Sequence, residues 1–226
     1  MKKIFTIFLL LGTFGLKAQN NIPRETWPFL YEEFMSGATR TKDGALVTES
    51  RFNITAHDGS LLYIGKDEKI MKADMSRVYT AKLGDDVFLN VSGKMYKLLS
   101  ETEYGAVLKG VEIDFEEQSK VSIGYGINSS TASAQGLAIL MDGRFDTLGK
   151  NLQQTENEKN TGDILPLREN YFLFFEGRLI PAKKQEILDM PGIDKKATKA
   201  FFKQEKIRWK DTASLEKVLV FLSEHK

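Results

Sequence analysis

The chain has 226 residues, 32 basic and 31 acidic side chains, two histidines and no cysteine. So even a charge balance excludes long-range attraction to nucleic acid or anionic lipid. The lack of cysteine excludes disulfide staples, thiolate chemistry, cysteine metal sites and the acyl-accepting residue of a lipoprotein.

The first element is "MKKIFTIFLLLGTFGLKA". Lys2 and Lys3 precede an apolar run from Ile4 to Leu16, and Ala18 supplies a small residue for cleavage. This is the layout of a secretory signal peptide over residues 1–18, and the run is too short for a stable membrane span. The expected product is a periplasmic or secreted chain, not a lipoprotein, with no stable span once the leader is cut. Its length of about 208 residues is ample for one core.

From about residue 38 to residue 181 short extended segments alternate with turn dipeptides. Asp43-Gly44, Asp58-Gly59, Ser92-Gly93, Asp142-Gly143 and Glu176-Gly177 each sit between apolar runs. Glycine accepts the positive φ that tight hairpins need, so each pair predicts a hairpin. A succession of hairpins predicts a mainly β fold of the α+β kind: an antiparallel β meander forming a barrel or a sandwich over residues 19–182. Within it Phe88, Val91, Met95 and Leu98 or Leu99 are expected in the core, with Val87, Leu89 and Tyr96 on the other side. "GVEIDFEE" places Glu112, Asp114 and Glu116 in alternation, as on the wet face of a strand. "QQTENEKNTGD", residues 153–163, has no apolar anchor and reads as a mobile surface loop.

After residue 183 the period changes, and residues 183–226 are predicted as a C-terminal helical segment packed on or beside the body. Ile193, Ala197, Ala200 and Phe201 share one helical face; Leu215, Val218, Leu219 and Leu222 share another. Asp211 stands at an N-cap position. Both faces are expected to dock on the β body or on each other.

Two stretches resemble binding motifs. "VSIGYGINSSTASAQG", residues 121–136, has the glycines of a phosphate loop but neither its lysine nor a good helix to follow, so it reads as a connector. Its side chains Tyr125, Asn128 and Ser129 are the candidate ligand-binding residues. "ILDMPGIDKKATKAF" resembles the helix-hairpin-helix nucleic-acid motif, with Asp194 where that motif needs its second glycine. The carboxylate would face the phosphate, so nucleic acid is not expected as a partner, and the segment reads as a packing unit capped by Asp194.

No catalytic residue is assigned. His57 stands beside a turn and His225 is penultimate, and no G-x-S-x-G elbow presents a serine. No metal site or cofactor is expected, because two histidines without cysteine cannot build a zinc site unaided.

"WPFLYEEFMSG", "FNITAHDGSLLY", "VFLNVSGKMYKLL", "YGINSSTAS" and "KKQEILDMPGIDKKATKAFFKQEKIRWKDTASLEKVL" together resemble a group of uncharacterised exported proteins of Bacteroidetes. The resemblance implies export, a β-rich body and a helical end, and no activity. Asp146-Thr147-Leu148 and Asp211-Thr212-Ala213 also match a three-residue O-glycosylation pattern of such proteins, which chance supplies about once in a chain this long.

The reading that follows is a non-enzymatic cell-envelope protein that binds a partner protein or glycan, with Trp27, Tyr31, Tyr125 and Trp209 as candidate contact aromatics, although a buried anchor is the expected role for most of them. Two alternatives stand beside it: a carbohydrate-active hydrolase using paired carboxylates ~5–9 Å apart, and a carrier for a small apolar ligand. Oligomeric state is left open.

Overall fold

The structure is a computed structural model in which residues 23–47, 50–122 and 147–225 are described. The chain is mainly β. Among the described residues eleven strands form a single antiparallel sheet, curled into a half-barrel. They are β1 (Met35–Thr41), β2 (Leu46–Val47), β3 (Arg51–Ile54), β4 (Leu61–Ile64), β5 (Ile70–Lys72), β6 (Val78–Leu83), β7 (Asp86–Val91), β8 (Lys94–Thr102), β9 (Gly105–Ile113), β10 (Leu167–Phe175) and β11 (Arg178–Pro181). Five helices accompany them among the described residues: α1 (Phe115–Ser122), α2 (Leu152–Glu158), α3 (Lys184–Leu188), α4 (Lys195–Gln204) and α5 (Thr212–His225).

The strand order is β11-β10-β9-β8-β7-β6-β1-β3-β4-β5, with β2 paired to β1. Two meanders, β3 to β5 and β6 to β11, are thus joined edge to edge through β1. Gly37 makes that junction possible, since a Cβ there would lie 2.2 Å from the Lys82 carbonyl oxygen of β6. Four of the expected turns close hairpins as predicted, at Asp43-Gly44, Asp58-Gly59, Ser92-Gly93 and Glu176-Gly177. Ser92 and Gly93 both have positive φ, 54° and 87°, which matches the twist of the flanking strands. Asp142-Gly143 lies outside the described residues.

Period-two alternation assigns the two faces of the sheet. The inner face carries Phe88 and Met95, packed on Phe52, Ile54 and Leu61 from the other meander. The outer face carries Leu89, Tyr96, Ala106, Leu108, Phe172 and Phe174. Val91 and Leu98, expected inside, lie on this outer face as well. Each stands three residues from Phe88 or Met95, a spacing that crosses from one side of a strand to the other. A bulge between Leu98 and Ser100 then shifts the register of β8. Leu99 packs at the helical end of the core in consequence, and Ser100 donates a hydrogen bond to Glu216 of α5.

Helix α5 closes that end of the inner face. Leu215, Val218, Leu219 and Leu222, the predicted stripe, are fully buried against Val107, Leu173 and Phe175. Asp211 caps the helix, its carboxylate accepting from the Ser214 N–H at 2.8 Å. The "MPGID" segment is a turn between helices: Gly192 takes φ 84°, and the Asp194 carboxylate accepts from the N–H groups of Lys196 and Ala197.

Three other expectations are corrected. Residues 153–163 are not one loop, because Gln153–Glu158 lie in α2. Asn151 caps that helix and Leu152 and Thr155 anchor it, the apolar anchor standing one residue before the stretch that was read as polar. The strand bearing Glu112 ends at Ile113; Asp114 accepts from the Glu117 N–H at the start of α1, and Glu116 lies in that helix. On α4 it is Thr198 and Phe202 that are buried, while Ala200, expected to dock, is exposed.

Candidate functional site

On the inner face, between the joined meanders and the end closed by α5, lies a recess of about 400 Å³. Leu30, Ile54, Phe88, Met95, Val111 and Leu167 supply its apolar lining, and Tyr31, Asp86, Lys97, Lys109 and Glu169 supply its polar groups.

The register explains how the charges meet. Phe88 stands opposite Lys97, Lys97 opposite Lys109, and Lys109 opposite Tyr171, so one row across four strands holds two adjacent lysines. Like charges directly opposed across strands destabilise a sheet unless each is compensated. Here Lys97 Nζ lies 2.6 Å from Asp86 Oδ1, and Lys109 Nζ lies 2.8 Å from Glu169 Oε1. The Tyr31 hydroxyl donates to the second Asp86 oxygen at 2.5 Å, completing a Tyr31–Asp86–Lys97 chain.

Burial alone would raise the Asp86 carboxyl, but hydrogen bonds from Lys97 and Tyr31, with the lysine charges, hold it below the usual carboxylate range. Burial and then the Asp86 hydrogen bond push the Tyr31 phenol well above its ordinary value. Asp86 is therefore ionised and Tyr31 neutral at every physiological pH.

Tyr31 is held by the segment before β1. Asn53, fully buried on β3, donates from its amide to the carbonyls of Tyr31 and Glu33 at 2.9 and 3.0 Å, and its oxygen accepts from the Tyr31 N–H. The Trp27 indole N–H donates to the same Tyr31 carbonyl at 2.9 Å. Trp27 itself packs edge-on against Phe29 at 4.9 Å between ring centres, and Lys159 lies over its ring at 5.0 Å. It is 2 % exposed, so of the two roles open to it from sequence, contact residue and buried anchor, it has the anchor's. Trp209 likewise packs edge-on against Phe202, in the helical core.

The remaining sequence candidates fall elsewhere. Tyr125, Asn128 and Ser129 lie outside the described residues. Glu112 is on the outer face, bound by Lys94 and Asn170. His57 sits edge-on to Phe115, and His225 stacks on Phe221 at 4.2 Å. Thr147 is buried, and Asp211 is a helix cap. Among the described residues no group of three or more histidine, cysteine or acidic side chains could hold a metal ion, and no helix is long and apolar enough to cross a membrane.

Of the recess residues, sequence reasoning singled out only Tyr31, Phe88 and Met95, and none of them as part of this site. The signal was nonetheless present. Lys97 follows Met95 by two, Lys109 precedes Val111 by two, and Glu169 follows Leu167 by two, so each charge stands on a core-facing parity. No protein-family model, curated protein sequence or solved structure matches the chain.

Proposed function

We propose that the protein is an exported, non-enzymatic binding protein of the cell envelope, and that the inner-face recess takes a small amphipathic ligand with an anionic end. The observation that carries this reading is the Lys97–Lys109 pair, set directly across from each other at an apolar-lined recess. Two cations on a core-facing row must each be neutralised by a carboxylate and do nothing for packing, which is the pattern of groups retained for a ligand. The recess has the volume of a small-molecule site, with a few polar groups over an apolar lining. The ligand's apolar body would rest on Phe88, Met95 and Val111, and its anion would face the two lysines.

The hydrolase alternative needs a carboxylic acid whose pKa is raised so that it can donate a proton. Asp86 is shifted the other way.

The test is a thermal-shift and calorimetric series with medium-chain fatty acids and aryl carboxylic acids, each beside its uncharged alcohol or amide. The acids should raise the melting temperature more than their neutral partners, since a ligand that prefers the native state must stabilise it. Val111→Trp, which fills the recess, should abolish the rise. The reading fails if no acid shifts the transition at about a hundred times a micromolar Kd. Export is checked separately, by the N-terminal sequence of the chain recovered from the envelope: a start at Gln19 supports it, and an intact Met1 opposes it.

A further inference from the structure

Part of the apolar stripe that the sequence assigns to docking stays open: Ala200 is exposed and Ala197 half-buried, while Ile193 and Phe201 pack on the helical core. Ala197, Ala200 and Phe201 of α4 and Ala213, Val220 and Phe221 of α5 line a groove of about 930 Å³, which Thr102 at the end of β8 also borders. Phe201 stacks on Phe221 at 4.2 Å, and Glu205 pairs with Lys217 at 2.8 Å, so the two helices run antiparallel along it. Val220 is 37 % exposed at its floor, although both helices have buried faces elsewhere.

Glu205 and Lys217 pair inside the groove, and beyond that pair the two helices carry opposite charge toward its rims. Lys196, Lys199 and Lys203, spaced three and four apart on α4, are all exposed along the flank turned away from α5. Glu216 and Glu224 stand on the α5 side of the groove. This separation decides what fits. A basic helix with an apolar stripe would match the α5 wall, and the chain presents one itself, since α4 has its stripe beside its lysines.

We infer that the groove is the interface of a symmetric dimer, in which α4 of each copy lies over α5 of the other. An isologous contact requires one patch that complements itself. A two-fold axis parallel to the helices meets that requirement. It brings Lys199 and Lys203 of one copy beside Glu216 and Glu224 of the second copy, and closes apolar stripe on apolar stripe. A two-fold axis across the helices would set lysines against lysines, so the charge pattern selects the first arrangement. The patch is two helices wide and about 15–20 Å long at 1.5 Å per residue, small for a stable complex, so the association is weak and concentration-dependent. This inference stands apart from the recess, which lies on the other side of α5.

Sedimentation velocity on the mature chain recovered from the envelope of an expression host tests it, from about 5 to about 500 µM. The wild-type chain should pass from monomer to dimer in that range. Val220→Glu, at an exposed position, should weaken association by about tenfold or more. Lys199→Glu with Lys203→Glu should dissociate the dimer, as should Glu216→Lys with Glu224→Lys, and an equimolar mixture of the two charge-reversed chains should associate again. Melting curves confirm that each variant is folded, and Ala200→Glu replaces Val220→Glu if the latter is not. A wild-type chain that stays monomeric throughout overturns the inference. So does a dimer indifferent to every groove variant, or a monomer whose groove takes a cationic amphipathic peptide instead.

Discussion

One sheet face is finished in two ways. Toward the helical end, Val107, Leu173 and Phe175 meet the fully buried Leu215, Val218, Leu219 and Leu222 of α5, and the seam is apolar but for the Ser100–Glu216 hydrogen bond. Two residues along the same strands, Lys109 replaces an apolar neighbour of Val107 and Val111, and Glu169 precedes Tyr171 and Leu173. There the covering segment is the irregular stretch around Tyr31, fastened by Asn53 rather than by a helix. Both ends obey the same alternation and the same twist. What separates them is whether a core-facing position holds a hydrocarbon that a helix can cover or a charge that needs room and a partner.

The largest expected effect lies at the apolar end. Leu219→Ala removes a fully buried side chain and should cost about 3 kcal/mol in urea denaturation, while leaving ligand binding in the recess unchanged. If binding falls as far as stability, the two ends are not separable. Asn53→Ala should cost about 2–3 kcal/mol, because two carbonyls and an N–H lose their buried partner, and it should also free Tyr31. A loss of stability without a change at the recess would show that Asn53 fastens the segment without positioning the phenol.

Smaller effects come from pH. The lowered pKa of Asp86 contributes stability that is present above the ordinary carboxylate range and lost as pH falls through the folded-state value. Asp86→Asn should therefore flatten part of the acid limb of a stability–pH curve. Tyr31 has the opposite sign. Its raised pKa contributes stability present below the ordinary tyrosine value of about 10 and lost at higher pH, and Tyr31→Phe should remove that alkaline loss. Smallest of all, Lys109→Leu with Glu169→Gln should leave stability unchanged or raise it by under about 1 kcal/mol while weakening anion binding. A clear destabilisation would make the ion pair structural and count against a ligand role.

The hairpins were legible because their cause is local. Ser92-Gly93 and Glu176-Gly177 reach positive φ whatever the rest of the chain does. The α5 stripe was legible for a similar reason, since four apolar residues at helical spacing have one side to bury. The short helix α2 was missed because its anchor, Leu152, packs on Trp27 and Phe34, more than a hundred positions away in sequence. The recess was missed on the same grounds. Lys97 and Lys109 are ordinary surface residues until the register of β8 on β9 sets them face to face.

The amino-acid order by itself determined the mainly β class, the turns, the capped C-terminal helices and the apolar stripe of α5, because these follow from backbone conformation and side-chain period within a few residues. Tertiary structure alone decided that β1 would join two meanders into a half-barrel, that Trp27 would pack on Phe29 and Phe34, and that Ala200 of the α4 stripe would stay exposed. Each of those outcomes depends on which distant segments reach a surface first, a competition among non-local contacts that no local window of sequence contains.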